Sequence, residues 1–354
     1  MEVNFFVDRL WKNWGRPYEL LTNHDIIKNV LIESENSGER YNLMIDLLAQ
    51  MDERLPPFST LYINLNPKVE CPETFAAKFT YSSLDFNVPY IHDLGDDSRD
   101  RFSKCFNAIF NFHPELQIIM EIIYSNCTQR EFPTSIIGFL ELMYAYLEDK
   151  PYDNEFTKSL LNNIKEAIDL CENDNTLEQT FRASTSLPDW VALWKNKQKV
   201  WIDLSGCKPL IQKMLIPVIF LNLLRFTDHY GPPENYWHLN GVVIINEAEK
   251  LFALVPWERY KARYNQRRRH WELLKYQKLF LTKEQMVEAY GEPSILFKSQ
   301  LETYYRDVLA DEFRFRNITL FTGTSDEKTI QNFITDFSQV KLVKNDFIGH
   351  NTFN

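Results

Sequence analysis

Four short stretches of the chain place chemically active residue types at the end of an apolar run. The first is Glu33-Ser-Glu-Asn-Ser37-Gly38-Glu39-Arg40, between the apolar run Ile26 to Ile32 and a helical pattern. That pattern carries Leu43, Met44, Leu47 and Leu48 at three-and-four spacing. A phosphate-binding loop of pattern G-x-x-x-x-G-K-[ST] would lie here. Its glycines let backbone N–H groups converge on phosphate, and its lysine adds a cation. In that register Glu33 takes the first glycine position, Gly38 the second, Glu39 the lysine and Arg40 the hydroxyl residue. By pattern alone the stretch is a polar turn. Two unit charges about 4 Å apart interact by about 4 kcal/mol at an effective dielectric near 20, so a carboxylate in the lysine position works strongly against a triphosphate. Arg40 restores a cation one residue on, but a guanidinium has no acceptor and cannot ligate Mg²⁺ as a hydroxyl does.

The second stretch is Val243-Ile-Ile-Asn246-Glu247-Ala248-Glu249. An apolar strand ending in Asp-Glu can hold Mg²⁺ and polarise water. Here Asn246 lacks the charge, while Glu247 keeps its carboxylate, either as a residual catalytic group or as a strand-end carboxylate satisfied by backbone. The third is Trp201-Ile-Asp203-Leu-Ser-Gly206, and the fourth runs from Arg314 and Arg316 through Gly323 to Asp326. Both are strands that end in a polar turn, as in any α/β protein.

The elements that would position these residues follow from periodicity. A strand at 26–32, a polar loop, a helix and a strand at 60–65 open a parallel βαβ sheet. The middle of the chain, 113–195, has almost no β-branched runs and predicts helices at 115–124, 135–146 and 155–170. After Lys199 the strand pattern returns at 200–204, 241–245 and 317–322, with a helix at 208–226 and polar helical sequence at 259–313. Continuous apolar strands separated by helices imply a sheet covered on both faces. The expected class is α/β with a mainly parallel sheet. The core is assigned to 1–112 and 196–354, with 113–195 as an all-α insertion.

Composition bounds the rest. The 354 residues hold 39 Lys+Arg and 49 Asp+Glu, a net charge of −10, which argues against wholesale coating of nucleic acid. Aromatic content of 14% argues against disorder. Only 10 residues are glycine, under half the usual share of roughly 7%. The five cysteines are scattered without a C-x-x-C pair, and the seven histidines form no metal-ligand spacing, so no metal site is expected. The N-terminus lacks a basic start followed by a long apolar run, and the apolar stretch Met214 to Leu224 is too short to span a bilayer. A cytoplasmic, membrane-free protein is the expectation.

In order and spacing, these pieces resemble the HerA/FtsK-type P-loop ATPases, nearest the HerA branch and the TraG-like conjugation motors. The resemblance runs from about Asn29 to Asp336 and rests on collinearity, since no single motif is intact. Asn66-Pro67-Lys68-Val69-Glu70 is similar to the family's D-P-K-G-E, and Trp201-Ile-Asp-Leu-Ser205 to its I-D-L-S strand. Ser186-Leu-Pro-Asp-Trp190 also looks family-like, and Asn246-Glu247-Ala248 stands in for D-E-A. The segment from Arg314 to Thr324 resembles the family's arginine-rich stretch and strand, with Thr324 or Ser325 near the place of a sensor glutamine.

The resemblance implies a RecA-like P-loop NTPase core. It assigns Glu33, Ser37, Gly38, Glu39, Arg40 and Asn246 to a degenerate nucleotide site, Glu247 to a residual catalytic carboxylate, and Arg314 and Arg316 to arginine fingers or a solvated helix end. Gly38 is expected to need a permissive backbone at the helix start. The reading is a pseudo-ATPase: a structural or regulatory subunit, homo- or hetero-oligomeric, that works with an active ATPase relative or a nuclease on DNA, with no cofactor. Two readings compete with it. One is an active ATP- and Mg²⁺-dependent DNA translocase with a divergent loop. The other is an α/β protein-interaction module. The basic run Arg259, Lys261, Arg263, Arg267, Arg268 and Arg269, interleaved with Tyr260 and Tyr264, suits a nucleic-acid backbone, an acidic partner or a solvated helix face.

Overall fold

The computed structural model describes residues 5–7, 18–21, 28–81, 96–110, single positions between 112 and 123, 135–149, 155–182, 189–229, 239–248, 304, 305, 308, 312–336 and 340–344. Two short strands, β1 (Phe5–Val7) and β2 (Tyr18–Leu21), pair antiparallel. The remaining strands form one sheet: β3 (Asn29–Glu33), β4 (Ser59–Asn64), β5 (Ala77–Thr80), β6 (Lys199–Asp203), β7 (Gly241–Ile245), β8 (Ile318–Thr324) and β9 (Val340–Lys344). Its order is β5-β6-β4-β7-β8-β3-β9, and every pairing is parallel. The central strands β4, β7 and β8 are buried at every position, so their sequences are continuous apolar or small runs rather than alternating ones.

Alternate residues of the strands feed two separate cores. Leu31, Leu61, Ile63, Val243, Ile245 and Leu320 face the larger one. Its helices are α2 (Asp96–Phe110), α3 (Ile136–Glu148), α4 (Glu155–Glu172), α5 (Asn175–Arg182), α6 (Asp189–Lys195), α7 (Pro209–His229) and, after the one-turn α8 (Phe313–Phe315), α9 (Glu327–Asp336). Phe102 and Phe106 of α2 meet Phe139 of α3 edge-on, with centroids 5.3 and 5.4 Å apart. The expected buried helix at 208–226 is α7, whose Met214 to Leu224 segment is almost wholly buried.

The other face carries Val30, Ile32, Tyr62, Trp201, Val242, Ile244 and Phe321. Among the described residues it is covered by α1 (Ser37–Arg54), which buries Leu43, Met44, Leu47, Leu48 and Met51. Full burial of each such side chain contributes on the order of 1.5–3 kcal/mol. Tyr62 stacks on Trp201 across the β4–β6 pair (centroids 4.2 Å, interplanar 12°), and Phe75 closes on both rings edge-on.

The connections fix where a ligand site belongs. From β3 the chain crosses α1's face toward β4, while from β6 to β7 and from β8 to β9 it crosses the opposite face in the opposite direction. These three crossovers therefore share one hand, as the right-handed rule for parallel sheets requires. The neighbours β3 and β8 send their chains to opposite faces, and the crevice outside the carboxyl ends of such a strand pair is the usual ligand position in open parallel sheets. The register sets Glu33 beside Thr324 and Ile32 beside Gly323 at that edge.

Candidate functional site at the carboxyl edge of the sheet

The loop after β3 is short because α1 begins at Ser37. Asn36 is its N-cap, with φ −93° and ψ 109°; its side-chain oxygen accepts from the amides of Gly38 at 2.9 Å and Glu39 at 3.3 Å. Helix N-termini attract anions because their first amides lack partners. Here one side chain accepts from two of them. The Ser34 hydroxyl accepts from Asn36 N at 3.2 Å, and Ser34 N donates to Thr324 O at 3.2 Å, which fastens the loop to β8. The expectation for Gly38 is corrected: its backbone is not left-handed. A Cβ there would meet the Asn36 oxygen at 3.3 Å, so the glycine serves the close approach of the cap.

Arg40, in the first turn of α1, is only 4% exposed. Its Nε donates to Asn246 Oδ1 at 3.2 Å and its Nη1 to the carbonyl of Ser34. Asn246, just past β7, donates its Nδ2 to Ser37 O at 2.8 Å. A donor on one side and an acceptor on the other fix which end of the amide is oxygen. The stem of Arg40 lies on Gly323: a Cβ at that position would stand 2.6 Å from Arg40 Cδ and 3.0 Å from Ile32 O. The structure thus brings Ser37, Arg40 and Asn246 together, from segments more than two hundred residues apart in sequence.

Glu247 follows Asn246 and is 9% exposed. Burial pushes the nearby Tyr62 phenol well above its usual range; Tyr41 and Glu247 push the same way, and Arg40 opposes them. The charges of Arg40 and Glu247 therefore act on one buried hydroxyl. Tyr41 of α1 lies edge-on to Tyr62 at 6.0 Å and donates to Glu70 O at 2.9 Å, at the end of the segment 66–70 singled out from sequence. Further along the same edge, Asp203 Oδ1 accepts from Ser205 Oγ at 2.6 Å and Asn64 Nδ2 at 3.2 Å. The I-D-L-S-like strand thus ends in an internally satisfied turn.

Of the other expected residues, Glu33, Glu39 and Thr324 lie at the same edge of the sheet, and Arg314 and Arg316 do not. Glu33 ends β3 and Glu39 is a half-buried residue of α1's first turn. Thr324 is buried in β8 with its hydroxyl accepting from Asp326 N at 3.0 Å, and Ser325 is exposed. Arg314 and Arg316 precede β8 and so stand at its amino end, a seven-residue strand (roughly 23 Å) from the loop of the same chain. Arg316 is buried, donates to Glu312 O at 3.0 Å and pairs with the Glu312 carboxylate, whereas Arg314 is exposed. The basic run of Arg259, Lys261, Arg263, Arg267, Arg268 and Arg269 lies outside the described residues. Among the described residues no cluster of three or more His, Cys, Asp or Glu could hold a metal. Among them, too, no helix is long and apolar enough to cross a membrane.

Sequence reasoning passed over Asn36, Ser34 and Gly323 as parts of one site. Asn36-x-x-Glu39 before an apolar helix is a capping signature and could have marked the cap. Nothing local in the sequence marks Gly323.

No sequence-family model matches the chain, and no curated protein sequence matches it. Solved structures do. The bacterial conjugative coupling protein TrwBΔN70 in complex with sulphate aligns over 96% of this chain and 78% of its own, with a TM-score of 0.51 and 8% identity. The plasmid coupling protein TrwB in complex with ADP and Mg²⁺ aligns over the same shares at 0.50 and 8%. VirB4 of Thermoanaerobacter pseudethanolicus aligns over 95% and 79% at 0.46 and 12%. The fold is that of a RecA-like P-loop NTPase. The crevice of this RecA-like sheet is the one occupied by the Arg40–Asn246 pair.

Proposed function

We propose that the chain is a catalytically degenerate relative of the HerA- and TraG-like P-loop ATPases, serving as a structural or regulatory subunit of a DNA-processing or DNA-translocating complex. The observation that carries this reading is the Asn36 cap. Its side-chain oxygen holds the Gly38 and Glu39 amides, which a phosphate would otherwise claim. Three further features support it. Glu39 sets a negative charge where the pattern needs a cation. Arg40 offers Mg²⁺ no oxygen. Asn246 offers no carboxylate and spends both ends of its amide inside the protein. The residues present do not fit a triphosphate with Mg²⁺.

In this reading the core is 1–112 and 196–354 with 113–195 as a helical insertion. The protein works in the cytoplasm as a homo- or hetero-oligomer without a cofactor of its own. It partners an active ATPase relative or a nuclease, and the basic run 259–270 meets DNA or an acidic surface of that partner. One observation favours a second reading, an active translocase using ATP and Mg²⁺: Glu247 stands at the end of β7 beside the loop. Titration with labelled ATP and Mg²⁺, with turnover measured with and without DNA, separates the two. The first reading expects neither binding at millimolar ATP nor hydrolysis. Micromolar binding with Glu247-dependent hydrolysis would establish the second.

A further inference from the structure

Arg40 touches three different elements at once: Ser34 O in the loop after β3, Asn246 Oδ1 after β7, and Gly323 within β8 beneath its stem. Each of these partners suits a guanidinium. Gly323 leaves room for the stem, since any side chain there would overlap Cδ at 2.6 Å and Nε at 3.1 Å. Asn246 is the matched residue, because its amide oxygen accepts from Arg40 while its nitrogen donates to Ser37 O. An aspartate could accept from Arg40 but could not donate to Ser37, and would set one oxygen against another. The departures at positions 40 and 246 therefore explain each other. They have the character of a fitted pair rather than of independent decay.

We propose that Arg40 is the resident occupant of the crevice: its guanidinium, held by Ser34 and Asn246 over Gly323, ties the β3–α1 loop to β7 and β8 in one fixed arrangement without any bound phosphate. In a phosphate-binding loop the anion organises these backbone segments. In this chain a side chain of α1 does so, and the complement of the crevice is a planar cation rather than an anion. The inference rests on the reading that the loop holds no nucleotide.

The test uses the full chain and three variants: Arg40→Ala, Arg40→Lys and the double variant Arg40→Ala/Asn246→Leu. Melting temperature and amide hydrogen exchange over 34–40 are measured with and without methylguanidinium at about 10 mM, with methylammonium as control. Arg40→Ala should speed exchange over 34–40 by about tenfold or more and lower the melting temperature. Methylguanidinium should reverse at least half of both changes, methylammonium should not, and the double variant should gain nothing from either. Arg40→Lys keeps the charge but loses the planar fork, so exchange over 34–40 should stay fast; this variant carries the comparison if Arg40→Ala does not fold. Wild-type exchange in Arg40→Lys would overturn the proposal. So would failure of methylguanidinium to act, equal recovery with methylammonium, or recovery without Asn246. The two readings fail separately: ATP binding by the wild type contradicts the nucleotide-free reading, whereas unaltered exchange in the Arg40 variants contradicts only the resident-occupant inference.

Discussion

Gly323→Ala is the perturbation whose size follows most directly from the structure. The new Cβ would stand 2.6 Å from Arg40 Cδ and 3.0 Å from Ile32 O. The first contact is closer than carbon atoms tolerate, and the stem cannot swing away while its head is held at Ser34 and Asn246. The second is with backbone fixed by the β3–β8 ladder, where Ile32 is the register partner of Gly323. Overpacking of this kind costs about 1–3 kcal/mol, against which replacing a strand glycine returns about 0.5–1 kcal/mol. The net expectation is a loss of about 1–2 kcal/mol. In an Arg40→Ala background the stem is gone and only the Ile32 contact remains, so the same substitution should be close to neutral. Denaturant midpoints of the four proteins (wild type, two singles and the double) give the coupling, expected at about 1 kcal/mol or more. Equal costs in the two backgrounds, within the roughly 0.3–0.5 kcal/mol to which independent sites add, would refute the contact between Arg40 and Gly323 on which the site's geometry depends.

Other expectations follow from the same geometry. Asn36→Ala removes the cap of α1 and should cost about 1 kcal/mol in a denaturation midpoint. Asn246→Asp should destabilise the chain despite adding a charge next to Arg40, because Ser37 O then faces a carboxylate oxygen; a melting temperature at or above that of the wild type would count against it. Trp201→Ala removes the fully buried ring stacked on Tyr62 and should cost about 3–5 kcal/mol. Burial pushes the Cys207 and Cys171 thiols up to about 12 and holds Cys105 higher still. A raised thiol value leaves less thiolate at a given pH, so at pH near 8 these three should resist alkylation in the native protein and react once it is unfolded, as mass mapping of the modified cysteines would show.

The central strands were legible because parallel strands buried on both faces must be continuously apolar. The expectation at 241–245 coincides with β7, and those at 60–65, 200–204 and 317–322 differ from β4, β6 and β8 by one or two residues. The strands passed over are β1, β2, β5 and β9. β5 (Ala77–Thr80) lies at the sheet's edge, alternates in exposure and lacks an apolar run. β9 (Val340–Lys344) is the opposite end strand and carries two lysines. Helix α2 was missed although Phe102, Phe106 and Phe110 recur at helical spacing, because its first turn is polar. At the site, Ser37, Arg40, Asn246 and Glu247 were singled out by the family resemblance rather than by an intact motif. What Arg40 does was not legible that way, because it depends on an absent Cβ at position 323 and on an amide turned both ways at 246. Those are facts of three-dimensional contact. The glycine shortage has a local counterpart: Gly38, the one glycine of the loop 33–40, meets a side-chain cap.

The central claim, that this RecA-like fold is organised without nucleotide, is tested most directly by equilibrium titration of the wild-type chain with labelled ATP and Mg²⁺, with hydrogen exchange over 34–40 followed in parallel. No saturable binding up to millimolar ATP and unchanged exchange are the expected results. Micromolar binding that slows exchange over 34–40 would contradict the claim.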